Sequence, residues 1–174
     1  MKLLNVLSFD PSLSNWGIAY IQYSPDTFDV IATDIIQTKP IKKSKLSKAQ
    51  QDLLRIDELY TGIQLCLEDA DVIVIELPIG SQTARAAVGY GACLALVASL
   101  PLPRLYVSPG QVKKVVGKHT TTKEEIIEWV DNLHPATLHP TKSKAEHQAD
   151  AVVAAYAALP QLRSFYANTY PSTT

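Results

Sequence analysis

The sequence predicts an α/β fold in which a mixed five-stranded sheet, three strands in an antiparallel meander and two parallel, carries helices on both faces. Two observations carry this. The first 37 residues hold three short runs rich in aromatic and β-branched side chains, separated by turn residues, and the segments that follow alternate between helical apolar periodicity and brief, wholly apolar stretches. With 174 residues, 47% hydrophobic and 19% charged, the chain has enough apolar surface to offset its ordering entropy and too little length for two ordinary domains. One domain over residues 1–160 is therefore expected, with an irregular tail over 161–174 and no internal repeat.

Lys2 to Phe9 is an apolar run that stops at the carboxylate of Asp10, and Trp16 to Tyr23 forms a second strand after the turn residues Ser12, Ser14 and Asn15. Ser24-Pro25-Asp26 reverses the chain into a third strand, about Phe28 to Gln37. Leu46, Ala49, Leu53, Ile56, Tyr60, Ile63 and Leu67 then recur at the spacing of one helix face. Asp71 to Glu76 is apolar on both faces, which suits a central strand covered by helices, and it too stops at a carboxylate. Ser81 would cap a helix reaching about Ser99, and Pro103 to Val107 would be the fifth strand. Ser108-Pro109 reads as a cap followed by proline at the first helical position, Thr122 and Glu125 have capping-box spacing, and Ser143 to Leu159 is an alanine-rich last helix.

Composition excludes several classes. Sixteen basic and seventeen acidic side chains nearly cancel, so attraction to nucleic acid must come from local patches. Cys66 and Cys93 have neither zinc-module spacing nor the density of a disulfide scaffold, and the N-terminus reaches Asp10 before a signal-type apolar region develops; an intracellular, cytoplasmic location is expected. Ala86 to Pro103 lacks charge, but Gly89, Gly91, Ser99, Pro101 and Pro103 interrupt it, and a buried helix followed by a turn accounts for it better than a membrane span.

The acids carry the chemical signal. A carboxylate ending a hydrophobic strand loses hydration at a cost of several kcal/mol (~) unless a cation or donors replace the water, and ligands in open α/β sheets gather outside strand ends. Asp10 and Glu76 both sit there, while His147 and Asp150, three residues apart, share one face of the last helix. Taken singly, Asp10 and Asp150 read as loop and cap residues. Together, three acids and a histidine would repel one another unless divalent cations bound between them, with Mg²⁺ or Mn²⁺ suited to such ligands. Two such ions would suit in-line hydrolysis of a phosphodiester without a covalent enzyme intermediate.

At these residues the chain resembles the RuvC family of Holliday-junction resolvases, within the ribonuclease H-like superfamily. Phe9-Asp10-Pro11-Ser12 with Gly17 is similar to the family's first acidic motif, Ile75-Glu76-Leu77-Pro78 to its second, and His147-Gln148-Ala149-Asp150-Ala151 to its last. Ser108 to Gly117 is similar to the segment preceding the family's last helices. The resemblance implies a metal-dependent crossover junction endodeoxyribonuclease that nicks four-way DNA symmetrically in recombination and repair. It implies Asp10, Glu76, His147 and Asp150 as catalytic metal ligands for two Mg²⁺ or Mn²⁺ ions, in a bacterial or phage-infected cell. Some family members carry aspartate where His147 stands, and Ile79 stands where one branch carries a junction-wedging aromatic residue.

The resemblance also implies a homodimer, since two strands must be cut symmetrically. The helix from Gln82 to Ser99, with Ala86, Ala87, Gly89, Gly91 and Ala92, is the candidate contact, although the same small residues would serve packing within one chain. Lys113, Lys114, Lys118 and Lys123, with His119, flank two helix starts and coincide with the family's DNA-contacting segment. Lys39, Lys42, Lys43, Lys45 and Lys48 form a second basic group that reads equally as a solvated loop. His119, His134 and His139 read as ordinary histidines. The alternative reading is a related nuclease that acts on other branched DNA or on structured RNA. An actin-like nucleotide-binding module is disfavoured because the chain has no room for a second such domain and no glycine-rich phosphate loop.

Overall fold

A computed structural model describes residues 2–40, 45–77, 80 and 83–171. Strands β1 (Leu4–Asp10), β2 (Asn15–Ser24) and β3 (Thr27–Gln37) form the expected meander. Helix α1 (Lys48–Cys66) leads to β4 (Val72–Glu76), α2 (Ala84–Ala98) and β5 (Arg104–Val107). Helices α3 (Pro109–Val116), α4 (Lys123–Leu133), α5 (Lys142–Ala157) and α6 (Leu159–Thr169) complete the chain. The sheet order is β3-β2-β1-β4-β5, with β2 antiparallel to β1 and β3, and β4 parallel to β1 and β5.

Strand alternation sorts the interior into two cores. Leu4, Val6, Ala19, Ile21, Val72 and Val74 point to one face, where the alanine-rich α5 lies flat on the sheet between α3, α4 and α6. Leu7, Phe9, Trp16, Ile18, Ile73 and Ile75 point to the other, against Leu59 and Ile63 of α1 and Cys93, Leu96 and Val97 of α2. The smallness of Ala149, Ala151, Ala154 and Ala155, all fully buried, lets the α5 backbone approach closely.

The caps at Ser108 and Thr122 form as expected, each as a reciprocal capping box, with Gln111 and Glu125 reaching back. The expected cap Ser81 lies outside the described residues; the cap of α2 is Thr83, whose side chain accepts from the Ala86 N–H.

Two expectations need correction. The apolar stripe read for α1 holds only in part: Ile56, Ile63 and Leu67 pack on the core, but Leu53 is 57% exposed and Tyr60 48%, and the buried face is completed by Asp52, Arg55 and Leu59. Charged residues can occupy that seam because each has polar partners there, which periodicity does not register. The region after Pro160, expected to be irregular, forms α6 through Thr169, with proline in its first turn, where the missing N–H costs nothing. Leu162 is wholly buried against the α5 side of the sheet, the Tyr166 hydroxyl donates to the Lys2 carbonyl at 2.9 Å, and Gln161 Nε2 donates to the Tyr106 carbonyl on the outer edge of β5. Leu162→Ala is therefore expected to lower unfolding free energy by about 3 kcal/mol, checked by urea denaturation; a loss below about 0.5 kcal/mol would mean that α6 adds little to the core.

Candidate active site

The same alternation that builds the α5-side core delivers the acids. In β1 the even-numbered Leu4 and Val6 face α5, so Asp10 does as well; in β4 Val72 and Val74 place Glu76 on that face. Parallel pairing of β1 with β4, Phe9 opposite Ile75, brings the two strand ends side by side.

Across them runs α5. Gly17 lies opposite Asp10 in the β1–β2 ladder, and a Cβ at Gly17 would sit 2.1 Å from the His147 carbonyl oxygen. Only a residue without a side chain admits the helix backbone at that point. His147 is thereby brought to Asp10, with Nδ1 2.6 Å from Oδ2. Asp150, one turn on and buried, pairs with the Lys123 ammonium from the first turn of α4.

The electrostatics follow from crowding like charges at a dry strand end. Burial, then the charges of Asp10 and Asp150, push the Glu76 carboxyl up to about 8, while Lys123 and Lys113 pull it back. One Glu76 oxygen, Oε2, is buried without a hydrogen-bond partner. Burial and then Asp10 raise Asp150 above the usual carboxylate range, against the opposing pull of Lys123. For His147 burial disfavours the imidazolium, but the hydrogen bond and charge of Asp10, with Asp150, win and raise it. The two carboxyl shifts make the native state hold more protons than the unfolded chain above the ordinary carboxylate pKa, and the His147 shift adds to this only above the ordinary imidazole pKa. Stability without divalent ions is therefore expected to fall as pH rises from about 4.5 to about 8, by at most about 1.4 kcal/mol per pH unit for each group. Denaturation in EDTA across that window checks this, and Glu76→Gln should flatten the slope.

The four predicted ligands thus come to one end of the sheet, but not into a shared cage: among the described residues no three His, Cys, Asp or Glu side chains stand close enough together to hold one ion. Asp10 and Asp150 each have a nitrogen partner, and mutual repulsion opposes closer approach of the three carboxylates. The donor set nevertheless suits a hard divalent cation, and among the described residues Glu76 Oε2 is buried with no hydrogen-bond partner.

Lys123, read from sequence as a DNA contact, is held at the acids by Asp150. A signal was present: a lysine at the first position of a helix opposes the dipole, so something else must hold it there. Lys113 is partly buried and acts electrostatically on Glu76, whereas Lys114 and Lys118 are exposed. Lys39, Lys45 and Lys48 are exposed; Lys42, Lys43 and Ile79 lie outside the described residues. His134 Nε2 is 2.9 Å from the Tyr156 hydroxyl, and His139 Nδ1 accepts from the Thr141 N–H, ordinary structural roles both.

A meander continued by two parallel strands, with acids at the ends of β1 and β4 and a helix crossing them, defines the ribonuclease H-like class of folds. Within that class the chain has the fold of RuvC. It superposes on Thermus thermophilus RuvC in complex with Holliday junction substrate with a TM-score of 0.66 and 19% identity, covering 94% of this chain and 97% of that one. A second Thermus thermophilus RuvC structure gives a TM-score of 0.64 and 18% identity, over 94% and 98% of the two chains. No family model matches the chain, and no curated protein sequence does. Among the described residues no helix is long and apolar enough to cross a membrane.

Proposed function

We propose that the protein is a divalent-metal-dependent endonuclease that resolves four-way DNA junctions by paired symmetric nicks. The observation that carries this reading is the Asp10–Glu76–His147–Asp150 group at adjacent strand ends, with a buried Glu76 oxygen unpartnered, on a fold shared with a protein solved on Holliday junction DNA. Asp10, Glu76, His147 and Asp150 would hold Mg²⁺ or Mn²⁺, two ions per site, which when bound supply the Lewis acidity for in-line phosphodiester hydrolysis.

The chain's own residues do the rest. Asp10 orients the imidazole through Nδ1, which leaves Nε2 of His147 as the nitrogen available to an ion or a proton. Lys123 offsets the charge of Asp150 and would meet an incoming phosphate oxygen there. Lys113, Lys114 and Lys118 on and after α3 would track the DNA backbone. Paired nicks need two copies of the site, and the exposed small residues Ala86, Ala87 and Gly91 of α2 are the proposed homodimer contact.

The test is to incubate the protein with a synthetic four-way junction, a flap, duplex DNA and structured RNA, each with Mg²⁺, Mn²⁺ or EDTA. Symmetric nicks in the junction alone, lost in EDTA, are expected. Preferential cutting of flaps or RNA would transfer the reading to a related nuclease, and cutting that persists in EDTA would end it. Replacing Lys114 and Lys118 by alanine should weaken binding to all DNA forms and lower the slope of log affinity against log salt by about 0.9 per lost phosphate contact. Fluorescence anisotropy over a salt series measures this; an unchanged slope would remove both lysines from the interface.

A further inference from the structure

Charged side chains buried on the face of the sheet opposite the acids are unexpected in a helix seam. Arg55 and Asp52 of α1 are 4% and 6% exposed, and Thr38, which follows β3, is 3% exposed. A guanidinium cannot lose its charge, so its burial is tolerable only if acceptors and a counter-charge surround it.

They do. Arg55 Nε donates to Thr38 Oγ1 at 2.9 Å, while Nη2 donates to Ser14 Oγ at 2.7 Å and to the Leu13 carbonyl at 3.2 Å. Thr38 Oγ1 passes a hydrogen bond on to the Leu13 carbonyl at 2.5 Å, and the Thr38 N–H donates to the Ser14 carbonyl at 3.1 Å. Asp52, one turn before Arg55, supplies the negative charge and is bound by Arg85 of α2. Three separate elements are tied together: α1, the end of β3, and the connection that carries the chain from Asp10 into β2.

That connection, Pro11 to Ser14, is where a loose backbone would reach the catalytic group. Asp10 is the last residue of β1 and Gly17, its ladder partner, lies just beyond the turn. Within the turn itself the Ser14 N–H reaches only Ser12 Oγ, at 3.4 Å. The guanidinium fork therefore provides much of the turn's anchorage, at two successive residues and in a fixed plane.

We infer that Arg55, set by Thr38, is a positioning residue that locks the Pro11–Ser14 turn and so holds the strand end bearing Asp10 in register for cleavage. This rests on the nuclease reading above, and it adds a site component on the far side of the sheet. A lysine in its place would keep the charge but not the planar, three-acceptor fork, and a methionine would keep the packing alone.

Arg55→Met, Arg55→Lys and Ser14→Ala separate these contributions. Two readouts are taken on the full chain: hydrogen–deuterium exchange of residues 10–16 against β4 and α5, and single-turnover junction cleavage alongside junction Kd. Arg55→Met is expected to speed exchange in 10–16 while β4 and α5 stay protected, and to slow cleavage about 100-fold with Kd changed less than about twofold. Arg55→Lys should recover part of the rate. Ser14→Ala, on an exposed residue that does not threaten folding, should lose rate severalfold in the same pattern.

Wild-type cleavage rates in Arg55→Met or Ser14→Ala would overturn the inference, as would unaltered exchange in 10–16. Should Arg55→Met lose protection throughout, Ser14→Ala decides. A wild-type protein that cuts no junction would instead end the nuclease reading, and the exchange pattern would still decide whether Arg55 holds the turn.

Discussion

Asp10→Asn and Glu76→Gln are each expected to reduce junction cutting to background while leaving junction binding within about twofold, because each removes one of the proposed anionic metal ligands and leaves the lysines in place. The two variants differ in what else they change. Asp10→Asn exchanges the charged acceptor of His147 Nδ1 for a neutral one and removes the second-largest cause of the Glu76 shift, so Glu76 should titrate below about 8 in that variant. Glu76→Gln removes a carboxyl that burial penalises when charged, so it should be at least as stable as the wild type at pH 8. Gel-based cleavage, anisotropy for binding and denaturation in EDTA cover these outcomes. Full cutting by both variants would refute the metal-ligand assignment, since among the described residues no other carboxylate ends a strand on this face.

Gly17→Ala is expected to be nearly as damaging, although Gly17 carries no chemistry. The new Cβ would lie 2.1 Å from the His147 carbonyl oxygen and 2.5 Å from its carbonyl carbon, and these are backbone atoms that cannot rotate aside. Either α5 lifts from the sheet or β2 bends, and in both cases the 2.6 Å contact between His147 and Asp10 is lost. Overpacking of this kind costs about 1–3 kcal/mol, and a displacement near 1 Å at a reacting centre costs roughly 100-fold in rate. Thermal melting and single-turnover cleavage report the two effects separately. A Gly17→Ala protein with wild-type cleavage would show that the His147–Asp10 contact is dispensable.

The buried charges of the fold illustrate how far linear reasoning extends. Asp10 and Glu76 could be singled out because an acid ending an apolar strand violates a local rule, and His147 and Asp150 because i, i+3 spacing on a helix is a geometric fact. Their alignment on one face also follows from strand parity, once Val6 and Val74 are known to face inward together. The same local logic puts Leu53 and Tyr60 on the inner face of α1 along with Ile56 and Ile63, and only the latter two lie there. The seam also runs through Asp52 and Arg55, because their partners Arg85, Thr38 and Ser14 are distant in sequence.

What the amino-acid sequence determined by itself was the order of elements from β1 to α5, the caps at Ser108 and Thr122, and the strand ends where acids stand. Each depends on neighbours within a few residues, where periodicity and capping chemistry act directly. Only the tertiary structure decided that Lys123 pairs with Asp150 rather than standing free, that Gly17 is the seat of α5, that α6 closes the core, and that Arg55 anchors the turn after Asp10. Those outcomes depend on which charge or backbone atom arrives from another part of the chain, and burial gives them their weight: a pairing that water would screen at the surface becomes decisive once the solvent is excluded.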